Sequence, residues 1–198
     1  MEQKQAVNGK KRLVVGMSGA SGAILAIKLL QMLQTCSDWE THLVISTAAR
    51  MTIIQETDYK LSEVEAMADA LYDIDDYGAK IASGTYQTEG MVIIPCSMKT
   101  VAGIASGYSD NLLLRAADVT LKERRKLVVV PRESPLSTIH LRNMLTLAEA
   151  GAYIMPPVVP YYCQSNCLED MNVQIVGKVL DKFHITISGF HRYGENMN

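Results

Sequence analysis

Five short apolar runs punctuate the chain: RLVVGM from Arg12, HLVIS from His42, MVIIP from Met91, KLVVVP from Lys126 and AYIMPP from Ala152. Each is rich in β-branched residues and none alternates with polar positions, the pattern of strands buried on both faces. Between the runs, apolar positions recur at helical spacing. Leu112, Leu113, Ala116 and Val119 mark one face of DNLLLRAADVTLKERR, with Asp110 as its N-cap; Leu141, Met144, Leu145 and Ala148 mark another, closed by Gly151. Strand and helix alternating in this way predict an α/β fold, a doubly wound parallel sheet in a three-layer sandwich, because right-handed crossovers join parallel strands. The stretch 61–87 is polar and irregular and predicts a helix followed by a surface loop.

The chain has 198 residues, which predicts a single domain over 1–198, with 1–10 and 186–198 as terminal tails. Hydrophobic residues make up 48% and charged residues 20%, the balance of a globular protein. Net charge is −2 and, apart from KERRK at Lys122 to Lys126, the basic residues are largely scattered, so a nucleic-acid footprint is not expected. The N-terminal segment lacks a signal-like apolar core, and no run approaches the ~20 residues needed to span a bilayer, so a cytoplasmic location and no membrane partner are expected. Four cysteines, Cys36, Cys96, Cys163 and Cys167, are too few for a disulfide framework and are expected as free thiols. Cys163 and Cys167 form a C-x3-C pair, but no further ligands complete a tetrahedral metal set.

Ligands of such sheets sit beyond the carboxyl ends of the strands. After the first run comes GMSGASGA, whose glycines at 16, 19 and 22 do not match G-x-G-x-x-G. Its small residues either let a ligand and an anion approach a helix N-terminus or simply make a tight turn. Ser46 follows the second run, CSMKT the third, RESPLSTIH the fourth and PPVVPYYC the fifth. Ser97 and Thr100 either cap a helix or bond a flat heterocycle or a phosphate. Arg132 and Glu133 directly follow a buried strand, where charges are costly unless they are paired structurally or used. His42 and His140 read as satisfied structural residues.

GMSGASGA, GMVIIPCSMKT, RAADVTLKERRKLVVVPRESPLSTIHLRNM and GAYIMPPVVPYY closely resemble the UbiX-type flavin prenyltransferases, over about Arg12 to Ile185. The resemblance implies a flavodoxin-like fold binding FMN, assembled as a dodecamer of trimers with active sites at subunit interfaces. It implies transfer of a dimethylallyl group from dimethylallyl phosphate to N5 and C6 of reduced FMN, without a metal. The product would serve a UbiD-type decarboxylase. Carried over position by position, it assigns Gly19, Ala20, Ser21, Ser46, Ser97, Met98, Lys99, Thr100 and Arg132 to the flavin. Ser21, Glu56, Lys122 and Glu133 take catalytic roles, and Lys122, Arg132, Tyr162 and Lys178 the donor phosphate. The cations would hold charge on the departing phosphate while Tyr162 donates a hydrogen bond, and Glu133 would act as the base.

The sequence departs from the family pattern at YYCQSNCLED, where Phe-Tyr and a later proline are usual, and at HRYGE, where Tyr193 replaces a tryptophan. Lys178 stands where arginine is common and loses the bidentate fork. Two other readings are an FMN-binding accessory subunit of a hydroxyarylic acid decarboxylase and an enzyme like the flavin-dependent cysteine decarboxylases. The latter carry a PASANT-like motif, where this chain has PCSMKT.

Overall fold

The computed structural model describes residues 9–194. Six strands, β1 (Lys11–Met17), β2 (Trp39–Ile45), β3 (Ala70–Tyr72), β4 (Gly90–Cys96), β5 (Lys126–Pro131) and β6 (Tyr153–Ile154), form a parallel sheet in the order β3-β2-β1-β4-β5-β6. The five runs picked out by their apolar pattern are all strands, and without β3 their order is the 2-1-3-4-5 of a flavodoxin-like sheet.

β3 corrects the expected loop over 61–87. Its three residues are half-buried or exposed, so it carries no apolar run; it joins the sheet by pairing with β2. His42 on β2 fixes this edge. Its Nδ1 lies 2.8 Å from the Tyr72 hydroxyl, and its Nε2 lies 3.3 Å from the Tyr86 hydroxyl and 3.2 Å from Glu40. Burial lowers the imidazole pKa against the opposing pull of Glu40.

Among the described residues seven α-helices cover the sheet: α1 (Ala23–Gln34), α2 (Thr47–Glu56), α3 (Leu61–Glu65), α4 (Met98–Ala105), α5 (Leu112–Lys122), α6 (Thr138–Glu149) and α7 (Leu168–Asp181). Unbroken apolar runs are explained by what each face meets. Leu13, Val15 and Met17 of β1 pack in one core with Ile27 and Leu30 of α1 and Val176 and Leu180 of α7. Val14, with Met91 and Ile93 of β4, packs in the other with Val101 of α4 and Leu113 and Ala117 of α5. Burying each such side chain fully stabilises by about 1.5–3 kcal/mol. Truncating the central Ile93 to alanine is a change that costs about 2–5 kcal/mol.

Four helix starts are capped by side chains: Ser46, Ser97, Asn111 and Ser137 accept from the amides of Ala49, Thr100, Leu114 and His140. Asn111, not Asp110, is therefore the cap of α5. His140 completes a reciprocal box by accepting the Ser137 N–H at 3.2 Å. α6 ends at Gly151 as expected, but its inward face differs. Met144 and Leu147 are buried while Leu141 and Leu145 are more than half exposed, because part of the apolar stripe meets nothing within this chain. Part of the segment expected as a C-terminal tail packs instead of trailing: Ile187 lies against the core, and the Phe190 ring lies where a Cβ on Gly177 would come within 2.5 Å. The remaining tail residues, 1–8 and 195–198, lie outside the described residues. Among the described residues no helix is long and apolar enough to cross a membrane.

Candidate active site

The chain reverses its winding between β1 and β4, and there the carboxyl ends of β1, β2 and β4 open a crevice of about 670 Å³. Gly19, Ser46, Ser97, Lys99 and Thr100 all line it, beside Ala48 and Met51 of α2 and Asn111 and Leu113 of α5. Ser46 and Ser97 are the N-caps of α2 and α4, so two helix N-termini face the same space. Capping and crevice-lining positions thus coincide at these serines. Ser97 Oγ also lies 3.1 Å from Thr100 Oγ1. Lys99 is exposed at the mouth, whereas Met98 is directed into the core. Cys96 is core as well, and burial pushes its thiol pKa far up, so it is an inert packing residue.

Two structural residues escaped the sequence reading. Ser18, buried, donates its hydroxyl to the Pro95 carbonyl at 3.0 Å and accepts the Ser97 amide at 2.7 Å, tying the ends of β1 and β4 together. A hydroxyl directly after the β1 run was the available signal. Ala48 is the other. A Cβ on Gly19 would lie 2.3 Å from that of Ala48, so Gly19 is required by the close approach of the loop to α2.

The loop after β1 also resolves the alternatives left open for its glycines. Gly22 sits at φ +103° as the N-cap of α1 and has no side chain to offer. Glu56, at the end of α2, takes that role from a distance: its carboxylate accepts the amides of Gly22 at 2.8 Å and Ala23 at 3.2 Å. The anion at this helix N-terminus belongs to the protein itself. Burial pushes the Glu56 pKa up, but the Ser21 hydroxyl, these two amides and the Arg132 guanidinium outweigh it and hold it below the usual carboxylate value. Ser21, Glu56 and Arg132 are thereby brought together, with Ala20 buried in the same turn.

Arg132 and Glu133 are exposed beyond β5, and neither is in an ion pair among the described residues. The Arg132 amide donates to the Cys96 carbonyl at 3.1 Å, and Glu133 accepts the Ser134 amide at 3.0 Å. Tyr162 and Lys178 meet at a second cavity, of about 240 Å³, between the segment 155–160, α7 and Phe190. Tyr193 stands edge-on to the Tyr162 ring at 5.4 Å, so an aromatic pair exists here despite the missing tryptophan.

Lys122 lies apart from the crevice, from the Ser21, Glu56 and Arg132 cluster and from the cavity of Tyr162 and Lys178. α5 begins at the crevice and runs back along the sheet for 11 residues, which at about 1.5 Å each carries its end roughly 16 Å away. There Lys122 pairs with Glu123 beside Gly84, just before β5 begins. Among the described residues no group of His, Cys, Asp and Glu is placed to hold a metal.

A family model described as Flavoprotein matches residues 1–184. The chain is 56% identical over 177 residues to the flavin prenyltransferase UbiX of Escherichia coli K12, covering 89% of this chain and 94% of that one. A crystal structure of AnUbiX (PadA1) in complex with FMN and dimethylallyl pyrophosphate superposes with a TM-score of 0.90 at 50% identity, covering 92% and 97% of the two chains. A dodecameric FMN-dependent UbiX-like decarboxylase from Escherichia coli O157:H7 matches with a TM-score of 0.90 at 49% identity, covering 91% and 98%.

Proposed function

The chain belongs to the UbiX-type flavin prenyltransferases of the flavoprotein family, and from that premise we propose that it joins the dimethylallyl group of dimethylallyl phosphate to N5 and C6 of reduced FMN. Support comes above all from one juxtaposition: the helix-capped crevice at the β1/β4 switch point lies beside the Ser21, Glu56 and Arg132 cluster. The crevice volume of about 670 Å³ falls within the roughly 300–1,000 Å³ of small-molecule sites. Its donors suit FMN: hydroxyls and amides at two helix N-termini for a phosphate, and apolar walls from Met51 and Leu113 for a ring.

When bound, reduced FMN supplies the N5 and C6 positions that accept the prenyl group. The protein's part is to hold charge and protons. Tyr162 and Lys178, with Arg132, bind the donor phosphate and stabilise the charge that develops as its carbon–oxygen bond breaks. Glu133, whose carboxylate is in no ion pair among the described residues, takes up the ring proton. Glu56 is ionised at neutral pH and holds the Ser21 hydroxyl in place for proton transfer. Lys122 enters from a second copy. That requires a homo-oligomer, and Ile139, Leu141 and Leu145, each more than half exposed on α6, supply apolar surface for one. The prenylated FMN passes to a UbiD-type decarboxylase.

The test is to incubate the protein anaerobically with reduced FMN and dimethylallyl phosphate and weigh the recovered flavin by mass spectrometry. A flavin carrying one added five-carbon unit is expected. Recovery of FMN alone would overturn the proposal.

A further inference from the structure

We infer that Gln174 is a positioning residue for the prenyl donor, tying the chain's last described turn to the two side chains that grip the phosphate; the inference rests on the donor-binding roles of Tyr162 and Lys178. Gln174 is 4% exposed, a buried amide on α7. Its Nε2–H donates to the Gly189 carbonyl at 2.6 Å, and its Oε1 accepts the His191 amide at 3.0 Å. The two backbone groups are two residues apart, so the side-chain amide pairs with the tail as a neighbouring strand would. The same Oε1 accepts the Cys163 thiol at 3.5 Å, immediately after Tyr162.

One buried group therefore fastens three pieces of chain. On α7 itself Lys178 lies one turn beyond Gln174, on the same face, and both line the cavity that Tyr162 and Phe190 complete. The fastened tail in turn sets Phe190 over Gly177, next to Lys178, and brings Tyr193 against the Tyr162 ring. Without the amide, the Gly189 carbonyl and His191 N–H lose their partners, and the tail is released from both anchors. Tyr162 and Lys178 would then have to be ordered by the donor itself, a cost charged to binding and not to the chemical step.

The experiment compares full-length Gln174→Met, which keeps length and apolar volume, with Gln174→Glu, which keeps the acceptor and loses the donor. In steady-state prenylation Gln174→Met is expected to raise the KM for dimethylallyl phosphate about tenfold, with kcat within about twofold and the FMN dissociation constant unchanged. Gln174→Glu should show a smaller rise in the same direction. Tyr193→Ala is expected to raise the KM as well, and Gln174→Met should add little in that background, because both act through the tail. An unchanged KM, fully additive effects, or a parallel fall in kcat and FMN affinity would overturn the role. Tyr162→Phe and Lys178→Ala separate the two levels. If they leave the donor KM unchanged, the donor reading fails; if they raise it while Gln174→Met does not, only the role of Gln174 fails.

Discussion

The two sides of the candidate site are built by different means. The side proposed for the flavin consists of strand ends and helix N-termini: Ser18 cross-links β1 to β4, Ser46 and Ser97 cap their helices, and Gly19 is pressed against Ala48. The side proposed for the donor consists of the segment 155–163, one face of α7 and Phe190, with the last described residues held by side chains such as Gln174 and by the Arg192–Asp181 pair. Where the backbone makes a site, geometry and fold stability are the same property, and damage to one is damage to the other. Where side chains make it, affinity can be lost with the fold intact.

Substitutions on each side should separate accordingly. The largest effect is expected at Glu133, which lies beyond β5 and accepts the Ser134 amide. Glu133→Gln keeps size and hydrogen bonding, so FMN affinity should be unchanged while single-turnover prenylation falls on the order of a hundredfold to ten-thousandfold. Near-normal turnover would remove Glu133 from the mechanism, and a matching collapse of FMN binding would place it on the flavin side.

Gly19→Val probes the opposite behaviour. A Cβ there meets the Ala48 Cβ at 2.3 Å, so the loop must shift away from α2. Melting temperature and FMN affinity should fall together, by several degrees and about tenfold or more, since overpacking costs about 1–3 kcal/mol. A stable protein with weakened FMN binding, or the reverse, would show that stability and site geometry are separable here after all.

The smallest expected effect is at Glu56. Its folded pKa lies below the ordinary value of 4.5, so the stability it confers is complete above that pH and is lost as pH falls through the lower folded value. Glu56→Gln gives up a charge at the start of α1, worth about 1 kcal/mol or less for an exposed cap, or a few degrees in melting temperature at pH 7. Thermal melts of variant and parent should converge as the pH drops below 4.5. A constant difference across that range would mean that Glu56 acts through shape and not charge.

The same contrast explains what the sequence made legible. Strands buried on both faces leave unbroken apolar runs, and a hydroxyl after such a run marks a crevice, so β1, β2, β4, β5 and Ser46 and Ser97 could be read directly, whereas β6 keeps only Tyr153 and Ile154 of its run and lies partly exposed at the sheet edge. β3 could not, because three edge residues held by one pairing and a buried histidine produce no pattern. Asp110 and Asn111 are both good caps, and only backbone geometry selects the second. On α6 the periodicity was present but served two faces, and a single chain buries only Met144 and Leu147. Glu56 and Gln174 were invisible as structural pieces. Their partners lie 34 and 15 residues away, and a contact closed by folding leaves no spacing to find.

Lys122 ends its helix at the edge of the sheet opposite its own crevice. If the lysine serves a neighbouring copy, a lesion there is exported: the altered chain keeps a sound crevice and impairs someone else's. Two alleles, one lacking Lys122 and one lacking Glu133, would each be inactive alone yet would complement when co-expressed, because a mixed assembly contains some crevices that take Glu133 from one kind of chain and Lys122 from the other. Inheritance of the defect would then follow the assembly, not the gene.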